Sequence, residues 1–214
     1  MNNFRLPSVL IMLTSLSLVP GFARQPGRPG WPDSPMLTVR IYKYAPTTGA
    51  VLASAAAEAA LVLRSAGLRL NWLDCYSPEP STACASSDRP DFITVRLLPV
   101  ALPEASQDGL GMAMSSASGS SAALFYDRAI ALRRPGLFVS QILGRAMAHE
   151  LIHVLVPGES HSHFGLMRAQ WTSTDTRIGN LPCLGLSQRT VELLHKEVVR
   201  RALAAGERQN TRTD

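Results

Sequence analysis

The chain has 214 residues, 46% of them apolar and 17% charged, which suits one domain with a true hydrophobic core and excludes a disordered chain. Its net charge of +5 is scattered, apart from Arg200-Arg201 and the C-terminal tail. No basic face interleaved with aromatics is visible, so a nucleic-acid partner is not expected.

Residues 1–23 read as a secretory signal peptide. A short charged start is followed by an apolar run over 6–19, and Gly21-Phe22-Ala23 offers small residues before a cleavage site. The run is too short for a spanning helix and contains Pro7, so no stable membrane span is expected after cleavage. The mature protein is therefore expected to be secreted or periplasmic. Residues 24–36, rich in proline and glycine, read as a linker, residues 37–205 as one domain and 206–214 as a disordered tail.

Residues 37–42 alternate in strand fashion. Residues 49–66 carry Leu52, Ala56, Ala59 and Leu63 at helical spacing, and Gly67 closes the helix. With a second strand over 68–72 this makes a β-α-β unit, which implies parallel strands and a right-handed crossover. Cys75 and Cys84 bracket a polar, proline-rich loop, and in an exported protein they are expected to form a disulfide. Cys183 is then left as a free buried thiol, or a zinc ligand or switch, unless it pairs with one of those two cysteines. A further strand is expected over 92–98 and a short one over 109–114. Residues 115–121 read as a low-complexity loop, and 122–126 lead into a turn. Residues 137–156 are almost wholly apolar and read as a core helix of about five turns. Ser187 caps a last amphipathic helix running to about residue 204.

The core helix ends in His149-Glu150-Leu151-Ile152-His153, an H-E-x-x-H sequence. On a helix the i, i+4 spacing stacks His149 and His153 on one face, where two imidazoles can share one Zn²⁺. Glu150, about 100° around the helix, is placed to act on a metal-bound water rather than to ligate. Two histidines and a glutamate at the end of an apolar helix are costly unless they are paired or bind metal. Pro157-Gly158 must break the helix, and His161 and His163 follow the break. His161 is the first choice for a third ligand. His163, Glu159 and Glu192 compete with it.

This stretch resembles the metzincin metallopeptidases, whose pattern is H-E-x-x-H-x-x-G-x-x-H followed by a methionine turn. Here G-x-x-H occurs two residues late, as Gly158 to His161, and Gly165-Leu166-Met167 resembles the turn. A closer resemblance is to short secreted bacterial peptidase-like proteins reading H-E-x-G-H-x-L-L-G-x-x-x-H-S-x-x-G-I-M-x-x-x-W. The matching residues are His149, Glu150, His153, Leu155, His161, Ser162, Gly165, Met167 and Trp171. The resemblance implies an α/β (α+β, zincin-like) fold: a small mixed sheet with a β-α-β start, a zinc helix, a methionine turn and a C-terminal helix. It also implies an antiparallel edge strand near 109–114 that could hold an extended peptide.

The function expected from these residues is a secreted zinc metallopeptidase acting on a peptide or protein substrate. His149, His153 and His161 would hold Zn²⁺ and Glu150 would be the general base. The resemblance implies that Met167 is a packing support. Trp171 reads as core, and His195 as a solvent-facing helix residue without a role. The competing expectation is a non-catalytic, zinc-stabilised secreted binding protein, with His163 closing the metal as a fourth ligand.

Overall fold

The chain begins its regular structure with β1 (Met36–Lys43), where Leu37, Val39 and Ile41 are buried. The computed structural model describes residues 36–85, 92–116, 119–172, 174–176 and 184–210, all within one compact unit, Asp33–Asp214. Met36, expected at the end of the linker, instead starts β1 and pairs with Arg69. The proposed leader, the rest of the linker, Cys183 and residues 211–214 lie outside the described residues.

Thr48 opens α1 (Gly49–Arg64) by accepting the Val51 N–H on its hydroxyl, and Gly67 takes the left-handed conformation after it (φ 79°). β2 (Arg69–Asp74) lies parallel to β1, which completes the expected β-α-β unit. The chain then passes through the loop closed by the Cys75–Cys84 disulfide, which is formed as expected, and enters β3 (Ile93–Leu98). Every second residue of β3 is buried. Three further elements follow: β4 (Gly111–Ser116), β5 (Gly119–Phe125) and a short α2 (Tyr126–Ala131).

All three depart from the sequence reading, which placed a turn where α2 forms. Ser115 and Ser116 end β4, and the serine-rich stretch expected as a loop also begins β5. Small residues give little strand propensity of their own. What holds β5 extended is pairing on both sides, parallel to β3 from Ile93↔Ser120 onward and antiparallel to β4. The sheet order is β2-β1-β3-β5-β4, so this unforeseen strand is internal and β4 is the antiparallel edge that the resemblance implied.

The helix α3 (Val139–Leu155) packs on β4 and β5, while α1 packs toward β2, and the two helices lie against each other. Their approach is close because α3 carries Gly144: a Cβ there would lie 2.5 Å from Glu58 Cβ and 2.6 Å from the Ala55 carbonyl oxygen. An Arg145–Glu58 ion pair of 3.0 Å crosses the same junction. Leu137 and Val156, expected inside α3, flank it. α4 (Gln188–Asn210) is capped by Ser187, whose hydroxyl accepts the Thr190 N–H at 3.1 Å. It continues past residue 205, through part of the stretch expected as a tail. The result is a mixed α/β fold with α3 running beneath the β4 edge.

Candidate metal centre

The last two turns of α3 place Ala146, His149, Glu150 and His153 along one wall of a cavity of about 640 Å³. The opposite wall is Gly109 to Ala113, and residues 168–171 close a third side. Gly158 (φ 90°) permits the turn that brings the chain back after the helix. The Ser162 N–H then donates to the Met167 carbonyl at 2.7 Å, and Gly165 (φ 72°) allows the tight return. That closed loop carries His161 to the helix.

Three imidazoles meet there. His153 Nε2 lies 3.1 Å from His149 Nε2 and 3.2 Å from His161 Nε2. Among the described residues they form a group whose ligand atoms lie within 4.8 Å of one another. Nitrogens around a tetrahedral zinc at about 2.0–2.1 Å stand about 3.3 Å apart, a spacing that His153 nearly matches to each of the other two histidines. The tautomers fit too. His149 Nδ1 lies 2.8 Å from the Leu166 carbonyl oxygen, which can only accept, so Nδ1 carries the proton and Nε2 keeps its lone pair. His153 is likewise bonded to the backbone of Glu159.

Burial holds the His149 imidazole down to about 4, with the neighbouring histidines adding to the effect against the Leu166 bond. Burial also lowers His153, helped by His161. Neutral imidazoles are the form that ligates a metal. Glu150 is buried beside them, and its carboxyl is pushed up to about 8, chiefly by burial and against a hydrogen bond from the Ala113 backbone.

Of the four competing third positions, the structure brings only His161 to the pair. The Glu159 carboxylate instead accepts from Thr190 at 3.5 Å. Glu192 is exposed on α4 and accepts from Gln188. His163 is exposed, with its ring 6.5 Å from that of Phe164, so the fourth-ligand arrangement of the binding-protein reading is not formed. His195 lies on α4, outside the group.

Sequence reasoning missed several participants. The Leu166 carbonyl takes a second hydrogen bond from the Trp171 indole at 3.3 Å, and the Trp171 ring stands edge-on to His149, 6.3 Å between centroids. Trp171 is half-buried and lines the cavity, so it is more than core. Met167 is buried in the core, as a packing role requires. Main-chain groups have no sequence signature. Trp171 was noticed from its place in the motif but read as core, because its bond to the Leu166 carbonyl has no signature in the sequence.

The β4 edge turns alternate main-chain groups away from the sheet. Phe125 N–H donates to the Leu110 carbonyl, so Leu110↔Phe125 is a hydrogen-bonded pair. In an antiparallel register such pairs alternate, which directs the main-chain groups of Gly111, Ala113 and Ser115 away from β5.

No protein-family profile matches the chain, and no curated protein does. Among solved structures it is similar to archaemetzincin from Methanopyrus kandleri, with 14% identity, a TM-score of 0.44, and coverage of 76% of this chain and 96% of that one.

Proposed function

We propose that the chain is a secreted zinc metallopeptidase of metzincin type, with His149, His153 and His161 as the metal ligands and Glu150 as the general base. The observation that carries this reading is the convergence of three imidazole nitrogens beside a buried carboxylate in one open cavity. A zinc ion held there would supply a Lewis acid and acidify water at the site.

The chain's own residues do the rest. The Leu166 carbonyl orients His149, and the Glu159 backbone orients His153, so neither ring has to turn to ligate. A cation bound beside Glu150 would favour its ionised form over the protonated one that burial favours in the metal-free protein. The carboxylate then takes the proton of the attacking water and returns it to the leaving amine. The outward main-chain groups of Gly111 and Ser115 are placed to pair with an extended peptide laid along β4. Leu110, Ala146, Ala169 and Trp171 give the cavity an apolar lining that excludes water from part of the substrate. The Cys75–Cys84 disulfide suits an oxidising compartment outside the cytosol, and no helix among the described residues is long and apolar enough to cross a membrane.

The test is metal content and hydrolysis of a broad peptide library, wild type beside Glu150→Gln. One zinc per chain in both, with chelator-sensitive hydrolysis in the wild type alone, is the expected result. Zinc in both without hydrolysis in either would overturn the catalytic reading, and no zinc in either would overturn the site.

A further inference from the structure

We propose that Gly111 is a positioning residue for Glu150: by presenting no side chain, it lets the carboxyl rest directly on the edge strand. This inference rests on the reading of Glu150 as the base, and its geometry stands apart from that reading. A Cβ built on Gly111 would lie 2.7 Å from Glu150 Cγ and 3.0 Å from Glu150 Cδ, closer than unbonded carbon atoms approach. Gly111 is not among the glycines with a positive φ, so the backbone there does not require glycine. What position 111 requires is space.

Two neighbours use that space. One is Glu150, and the other is the Ala123 carbonyl oxygen, 2.6 Å from the same Cβ position. The Ala123 contact belongs to the β4–β5 ladder and would matter whatever stood at position 150. The Glu150 contact serves the site. Gly111 and Ala113 point their main-chain groups to the same side of β4, and the Ala113 backbone hydrogen-bonds the Glu150 carboxylate. The base is thereby held against the strand along which a peptide would lie. A methyl group at 111 would lift the carboxyl off that strand and away from Ala113, while leaving the three histidines untouched. The effect belongs in kcat rather than in metal affinity, because general-base catalysis depends on the reach of the carboxylate to the proton it takes.

The experiment is a double-mutant cycle of Gly111→Ala and Glu150→Ala. It reads urea midpoints of the chelator-treated protein and zinc affinity against a competing dye, with peptide kinetics of the zinc-loaded Gly111→Ala variant beside wild type. The seat predicts that Gly111→Ala lowers the urea midpoint with Glu150 present and loses at least about half of that effect when Glu150 is alanine. It predicts zinc affinity within about threefold of wild type and a fall in kcat of about a hundredfold with KM little changed. A Gly111→Ala chain that folds only when Glu150 is also alanine would support the seat just as well. An equal stability loss in both backgrounds, or failure to fold in both, would assign the glycine to the Ala123 carbonyl alone and overturn the proposal. Unchanged kcat in a hydrolysing enzyme would overturn it too. If the wild type itself hydrolyses nothing, the peptidase reading fails, and the stability cycle still decides whether Gly111 seats Glu150.

Discussion

The main-chain carbonyl of Leu166 and Nδ1 of His149 lie 2.8 Å apart, so a residue of the turn before Met167 sets the tautomer of a histidine on α3. The same oxygen receives the Trp171 indole at 3.3 Å. One carbonyl thus ties the helix, the turn at Gly165-Leu166-Met167 and the cavity wall together. Removing the indole donor leaves the histidine bond but loosens its acceptor. Trp171→Phe should weaken zinc binding by about tenfold, measured by chelator competition, because outer partners of a ligating histidine typically contribute that much. Unchanged affinity would reduce Trp171 to a cavity wall.

His161 and His163 lie two positions apart and both are exposed, but only His161 joins the histidine pair. His161 Nε2 stands 3.2 Å from His153 Nε2, while His163 is exposed against Phe164. His161→Ala should cost about a hundredfold or more in zinc affinity, and His163→Ala should leave it within about threefold. The reverse order would show that the loop rearranges around the metal.

Glu150 and His149 make the metal-free protein sensitive to pH in opposite directions. The Glu150 carboxyl stands at about 8 against an ordinary 4.5. As pH rises through that window the unfolded chain has given up its proton while the folded one keeps it, so stability falls. His149 stands at about 4 against 6.5, so the folded protein loses stability as pH falls through that range. Glu150→Gln removes the first effect and keeps the second. In chelator-treated protein, the variant should gain on wild type as pH rises from 4.5 toward 8. The gain is on the order of 4 kcal/mol for a full shift of that size, read from urea unfolding at several pH values. A gap that does not grow with pH would show that the Glu150 carboxyl is better solvated than its burial implies.

The Cys75–Cys84 bridge closes a short loop between β2 and β3, at the sheet edge opposite β4. Replacing both cysteines with serine should lower stability by about 2.5 kcal/mol, the loop-closure entropy restored to the unfolded chain. Zinc affinity should not change. A loss of zinc binding in a still-folded variant would show that this edge is coupled to the centre.

Much of this protein is written locally. Period-two and period-3.6 patterns were enough for β1, α1 and β3, because their buried residues recur at spacings that backbone geometry alone dictates. The spacing of His149 and His153 belongs to the same kind of information, as does the short loop that brings Cys75 near Cys84. His161 was legible as a candidate because it follows the helix break at Pro157-Gly158 and matches the histidine position of the motif that the stretch resembles.

Other features are decided only when distant segments meet. β5 is a strand because β3 and β4 flank it, not because Gly119-Ser120-Ser121 prefers to be extended. Glu159 and Glu192 were credible ligands until packing turned one carboxylate toward Thr190 and paired the other with Gln188. The Leu166 carbonyl and the space above Gly111 belong to the backbone and to a missing side chain, which leave no pattern in a sequence. The sequence by itself determined which groups could bind a metal, because helical spacing is local. Only the tertiary structure decided which of them meet, how their rings are turned and where the carboxylate rests, because those depend on contacts between segments far apart in the chain.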